Sequence, residues 1–141
     1  MKFSIQSEHD LEPVVEAIYD LQAKGLYLFY GNLGAGKTTL IKYLLQYKNI
    51  VEDVSSPTYN ILHKYHTKTG ETVLHADFYR LASEHDILEL GWFDEYGLAN
   101  YIFVEWPEQL IGLIEEPYLK IDINLDSATS VRTISLSLIS V

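Results

Sequence analysis

Hydrophobic positions along the chain change their period several times, and each change marks an element. Residues 2–6 fit a short strand. Leu11, Val14, Val15, Ile18 and Leu21 then recur on one face at a spacing near 3.6 residues, which predicts an amphipathic helix. Ser7 and Asp10 form a capping-box pattern ahead of it, Pro13 prefers the first turn and allows a start at Asp10, and Gly25 is the expected stop. Leu26-Tyr27-Leu28-Phe29-Tyr30 is apolar without alternation, as in a strand buried on both faces. Thr38 to Tyr47 reads as a helix with Leu40, Ile41, Leu44 and Leu45 inward. A polar loop from Asn49 to Pro57 leads to two strands at about 58–66 and 71–77, joined by the hairpin turn Thr67-Lys68-Thr69-Gly70. Ser83-Glu84-His85-Asp86 is a second capping box, opening a short helix that stops near Gly91. Tyr101 to Val104 is a short strand that ends in Glu105 and is broken by Pro107. Two more strands, 118–125 and 131–139, flank a turn at Asp126 to Ser130.

Strand and helix alternate and then give way to a β-rich tail, so the expected fold is α/β with a mixed sheet. A length of 141 residues suits one domain, residues 1–141, with room for a real core. The absence of cysteine excludes disulfides, thiolate metal sites and cysteine nucleophiles, and suits a reducing cytosol. The start of the chain lacks the apolar stretch of a signal peptide, and no run approaches bilayer length, so a cytoplasmic protein away from membranes is expected. The net charge is −10, and Leu81 to Asp126 holds eleven carboxylates against the single cation Lys120. Such a face repels RNA, DNA and anionic lipid, so direct nucleic-acid binding is not expected. It is either a solvated face or a docking surface for a basic partner.

Gly31-Asn32-Leu33-Gly34-Ala35-Gly36-Lys37-Thr38 matches the phosphate-loop pattern G-x-x-x-x-G-K-[ST] at every fixed position. The glycines let the backbone curl so that successive amides face a polyphosphate, and the following helix adds the positive end of its dipole. Lys37 would reach the β- and γ-phosphates and the Thr38 hydroxyl a magnesium ion. With a buried strand before it and an amphipathic helix after it, the motif predicts a P-loop NTPase-like three-layer sandwich with a mixed, mainly parallel sheet and an antiparallel hairpin. ATP and Mg2+ are the expected ligands.

Hydrolysis at such a loop needs a carboxylate from a neighbouring strand. Asp77 ends one strand and Glu105 another, and spacing alone does not rank them. His63 and His66 lie three apart, so in a strand they face opposite ways and read as structural or exposed. Trp106 either shields the nucleotide or fills core. Ser56-Pro57-Thr58 sits where many NTPases keep a phosphate-sensing switch, or is an ordinary proline turn.

These residues together resemble the TsaE (YjeE) family of small bacterial ATPases over nearly the whole chain. The resemblance rests on Gly31 to Thr39, on Ser56-Pro57-Thr58-Tyr59, on His75-Ala76-Asp77-Phe78-Tyr79-Arg80-Leu81 and on Val104-Glu105-Trp106-Pro107-Glu108, in the family's order and spacing. The departures are Asn32, where the family often has an acid, and Ala76 within the third block. The resemblance implies ATP hydrolysis in the biosynthesis of N6-threonylcarbamoyladenosine in tRNA, alongside a TsaB–TsaD pair whose repeated turnover it supports. It further implies that Gly31, Asn32, Leu33, Gly34, Ala35, Gly36, Lys37, Thr38 and Thr39 bind ATP. Thr38 and Glu105 match its magnesium-binding positions, Asp77 a nucleotide-site acid needed for hydrolysis, Ser56 and Thr58 the switch loop, and the region of Ser7 and Glu8 a segment near the adenine base. Lys37, Asp77 and Glu105 are thus the expected catalytic residues, with Arg80 either a γ-phosphate sensor or a surface ion-pair arginine.

Two rivals share the scaffold. A small-molecule kinase needs cations to grip its acceptor, but the chain has only Arg80 and Arg132 as arginines and no basic lid. A GTPase-type switch would carry Asn-Lys-x-Asp to read guanine, and that pattern is absent.

Overall fold

The computed structural model describes residues 1–52 and 61–141; the expected switch residues Ser56 and Thr58 lie outside the described residues. Among the described residues the strands are β1 (Lys2–Ile5), β2 (Gly25–Tyr30), β3 (Leu62–His66), β4 (Thr72–Asp77), β5 (Tyr101–Glu105), β6 (Tyr118–Leu125) and β7 (Arg132–Ile139). The helices are α1 (Leu11–Leu21), α2 (Lys37–Tyr47), α3 (Glu84–Glu89) and α4 (Trp92–Leu98). All seven strands form one sheet in the order β1-β7-β6-β2-β5-β4-β3. Parallel pairings run through its centre, from β6 to β2, β5 and β4. Antiparallel pairings flank it: the β3–β4 hairpin on one side, β6–β7 and β1–β7 on the other. The sheet is mixed, as its pattern predicts, with antiparallel pairing in the C-terminal tail as well as in the hairpin.

Alternation along each strand divides the apolar residues into two cores. Tyr27, Phe29, Val73, Tyr101, Phe103, Leu119 and Ile121 face α1 and α2, packing against Val14, Ile18, Leu40, Ile41 and Leu44. Leu26, Leu28, Leu74, Ala76, Ile102 and Val104 face the other way, against Ile87 of α3, Trp92 of α4 and Leu110. The expected three layers follow, because the central strands carry apolar side chains on both faces and each face needs a cover.

Both capping signals act at helix starts. The Asp10 carboxylate accepts the amides of Gln6 (2.9 Å) and Ser7 (3.2 Å), in a 3₁₀ turn that feeds α1. Ser83 Oγ accepts the Asp86 amide at 3.4 Å, while the Asp86 carboxylate accepts that of Ala82 at 2.9 Å.

One expectation needs correction, and two stretches hold elements that the pattern does not announce. α1 ends at Leu21 with Gln22 extended, so Gly25 is not its stop; Gly25 opens β2 in the left-handed region at φ 110°. The Gln22 side chain spans the connection by donating to the Leu26 carbonyl at 2.7 Å. Gly91 does stop α3, but its left-handed backbone (φ 74°) also starts α4, a helix the pattern did not announce. Two 3₁₀ turns, Pro107–Gln109 and Ile111–Leu113, likewise follow β5 where only a break was expected.

Phe103 lies at the centre of the larger core, fully buried, with Tyr27 and Phe29 against its ring at centroid distances of 5.1 and 5.9 Å. Phe103→Ala is expected to cost about 3–5 kcal/mol in urea unfolding. A cost within about 1 kcal/mol would show that this row does not carry the core.

Candidate functional site

The site lies where β2, β4 and β5, running parallel, deliver their carboxyl ends to one edge of the sheet. Gly31 leaves β2 against the Ile123 carbonyl of β6, where an added Cβ would come within 2.6 Å of that oxygen. Only glycine permits this approach, which turns the loop back toward α2. Ala35 closes the turn by donating its amide to the Asn32 carbonyl at 3.0 Å. Asn32, Leu33 and Gly34 form the exposed tip, and Ala35 and Lys37 are buried. Gly36, left-handed at φ 111°, caps α2, so Lys37 and Thr38 begin the helix at its positive dipole end.

The Lys37 ammonium donates to the Gly31 carbonyl at 2.5 Å and sits 3.3 Å above the centre of the Trp106 ring. Burial lowers its pKa, opposed by the charges of Glu105, Glu108 and Asp77. Trp106 neither fills core nor lies idle: it is half-buried, left-handed at φ 55°, with Lys37 on its ring and Tyr79 4.8 Å away.

Glu105, at the end of β5, is almost fully buried. One carboxylate oxygen accepts the Thr38 hydroxyl at 2.8 Å, and the other lies 2.8 Å from His75 Nε2. Asp77 stands directly opposite Glu105 in the β4–β5 register. Its carboxylate accepts the Tyr79 amide at 3.0 Å, and burial raises its pKa above the ordinary carboxylate value. The two acids that spacing could not rank are therefore neighbours with different partners: Glu105 accepts the loop hydroxyl, and Asp77 accepts the Tyr79 amide.

Thr39 and Gly36 line a cavity of about 290 Å³ together with Ser7, Glu8, Leu11 and Arg132. Sequence reasoning reached Ser7 and Glu8 only through resemblance; the fold brings them to the loop because β1 pairs with β7 beside it. Glu8 is exposed and accepts the Tyr43 hydroxyl at 2.8 Å. Arg132 was not foreseen as a site residue. Its Nε donates to the Ala35 carbonyl at 2.8 Å, across 97 positions in the chain, and no local pattern marks it. Arg80 is exposed and makes none of these hydrogen bonds among the described residues. His66 pairs with Glu52 at 2.7 Å on the surface, away from the half-buried His63, and the described residues hold no cluster of three metal-ligating side chains.

A glycine loop at a helix N-terminus, a lysine and a hydroxyl–carboxylate pair form a site suited to a polyphosphate and a hard divalent cation. A family model described as "Threonylcarbamoyl adenosine biosynthesis protein TsaE" matches residues 5–134. The tRNA threonylcarbamoyladenosine biosynthesis protein TsaE of Haemophilus influenzae is 35% identical over 106 residues, covering 75% of this chain and 65% of that protein. Its counterpart in Rickettsia conorii is 32% identical over 124 residues, covering 85% and 69%. The chain thus spans about two thirds of the length of these relatives. The crystal structure of Bacillus subtilis YdiB has the same fold, with a TM-score of 0.69 over 96% of this chain and 83% of that one at 21% identity.

The raised Asp77 pKa has a consequence for stability. The folded state holds the proton more tightly than the unfolded chain, so Asp77 favours folding below the ordinary carboxylate pKa and that contribution is lost as pH rises through its folded pKa. Asp77→Asn removes the desolvated charge and keeps an acceptor for the Tyr79 amide. Thermal melts should therefore show a higher midpoint than wild type at neutral pH and none below the carboxylate range. A lower midpoint at neutral pH would mean that the ionised carboxylate is stabilised where it stands.

Proposed function

This chain belongs to the TsaE family, and on that premise we propose that it is a magnesium-dependent ATPase of tRNA threonylcarbamoyladenosine biosynthesis, acting with a TsaB–TsaD pair. The observation that supports this best is the 2.8 Å hydrogen bond from Thr38 to Glu105, which joins the phosphate loop's hydroxyl to a strand-end carboxylate. Both are hard oxygen donors of the kind magnesium prefers, usually keeping part of its water shell. Thr38 and Glu105 would hold the ion, which when bound withdraws charge from the phosphate oxygens.

The chain's own residues take the remaining roles. Lys37 leaves the Gly31 carbonyl to pair with the β- and γ-phosphates, in a loop that glycine has already shaped. Asp77, its pKa raised by burial, accepts a proton from the attacking water. The new bond forms between water oxygen and γ-phosphorus while the β–γ bridging bond breaks, leaving ADP and phosphate. The adenosine end enters the cavity bounded by Ser7, Glu8, Thr39 and Arg132. Thr58 takes the switch role as part of the same proposal.

The tRNA itself is left to the partners, in keeping with a net charge of −10. No helix among the described residues is long and apolar enough to cross a membrane; a cytoplasmic setting is part of this proposal.

The test is magnesium-dependent ATP hydrolysis by the chain alone and with the TsaB–TsaD pair. Slow turnover alone, changed several-fold by the pair, is the expected result. Lys37→Ala should reduce turnover by about 100-fold or more. Full activity in that variant would remove the phosphate loop from the mechanism, and indifference to the pair would remove the pathway partner.

A further inference from the structure

β4 is apolar across its buried positions except for one residue. Val73, Leu74 and Ala76 are fully buried, as their place in a central strand requires, yet His75 among them is also buried, at 2% exposure. An imidazole in such a place loses its water and must recover hydrogen bonds from the protein. His75 recovers one. Its Nε2 lies 2.8 Å from Glu105, and its Nδ1 has no partner among the described residues. A carboxylate oxygen accepts, so the proton of this contact is carried on His75 Nε2.

The cross-strand geometry explains how the contact arises. His75 stands opposite Phe103 in the parallel β4–β5 register, and Glu105 lies two residues further along the same face. The imidazole therefore leans along the strand to a diagonal neighbour rather than across to the residue beside it. A ring there for packing alone would gain nothing from this nitrogen. Among the described residues, the one hydrogen bond of this buried side chain ends on the carboxylate that also accepts the Thr38 hydroxyl.

Resting on the functional reading above, we infer that His75 is a positioning residue for the metal site: its Nε2–H holds one oxygen of Glu105 so that the other faces Thr38. Without that donor one carboxylate oxygen is left buried and unpaired, and the carboxylate relieves this by turning away from Thr38. His75 touches neither nucleotide nor metal in this scheme. It sets the orientation of the group that does, in the manner by which outer-shell partners tune ligand carboxylates.

Calorimetric titration of a non-hydrolysable ATP analogue, in EDTA and across a series of Mg2+ concentrations, tests this without requiring turnover. For His75→Leu, the Mg2+ concentration giving half of the magnesium-dependent gain in affinity should rise about 10-fold or more, while affinity in EDTA stays within about 2-fold of wild type. His75→Gln places an amide donor near the lost Nε2 and should recover most of the difference. In a Glu105→Ala background, His75→Leu should add nothing, whereas a merely structural role would add its full effect. Should the leucine variant not fold, His75→Asn, polar but too short to reach the carboxylate, replaces it. An unchanged Mg2+ requirement in the folded leucine or asparagine variant, or a glutamine variant as impaired as either, overturns the assignment alone. A wild-type chain whose nucleotide affinity ignores Mg2+ overturns the functional reading and this assignment with it.

Discussion

Parallel pairing of β4, β5 and β2 is the constraint on which the site depends. Parallel strands all finish at the same edge of the sheet, so the residue ending each one is delivered beside its neighbours whatever separates them in sequence. In register, Asp77 lies opposite Glu105, and Glu105 opposite Phe29, two residues before the phosphate loop begins. An antiparallel partner at either position would send one acid to the far edge. The hairpin respects this: β3 takes the antiparallel place at the sheet's margin, leaving β4 to run with β5.

That convergence has an energetic cost, and the structure meets it locally. A buried carboxylate and a buried ammonium each lose hydration worth several kcal/mol, about what a whole domain can spare. Glu105 recovers part of it through Thr38 and His75, and Lys37 through the Gly31 carbonyl and the face of Trp106. Trp106 itself holds a left-handed backbone, a conformation that costs a bulky residue about 1–3 kcal/mol. Strained backbone, buried charge and the raised pKa of Asp77 fall within the same few residues. A fold selected for stability alone would spread such costs or remove them, so their concentration singles out this edge of the sheet as the candidate functional site.

Legibility in the sequence followed the range of the interactions. The phosphate loop could be read because its glycines, lysine and threonine act within eight consecutive residues, and α2 could be read from the faces of Leu40, Ile41, Leu44 and Leu45. Asp77 and Glu105 were recognisable as strand-end acids, but the different partners each one finds depend on strand register, which spacing does not encode. Arg132 was invisible for a stronger reason: its partner, the Ala35 carbonyl, is a backbone group on a distant segment that leaves no mark on composition or period. His75 falls within a recognisable block but carries no local mark of a role, since a histidine in an apolar strand looks the same whether it packs or holds a carboxylate. Local signals misled where one residue type serves two geometries. Gly91 ends one helix and begins another with the same left-handed backbone, and Gly25 uses its own to enter a strand instead of leaving a helix.

On the proposed function, the charges around the loop give a reason for such an ATPase to depend on others. Lys37 feels three carboxylates, Glu105, Glu108 and Asp77, while Arg132 spends its Nε on a backbone carbonyl. A polyanionic nucleotide entering alone would meet three carboxylates against the cations Lys37 and Arg132, so on the proposed function the metal is what makes entry favourable. It does not complete the site. Charge that builds up on the transferred group is best answered by a cation placed there at the moment of reaction. Among the described residues the remaining arginine, Arg80, is exposed and outside the site's hydrogen bonds. On the proposed function, Arg80 drawn inward or a cation from another protein would answer that charge. Both are steps that docking of a basic surface onto this acidic chain would supply, and a net charge of −10 both attracts such a surface and keeps RNA at a distance.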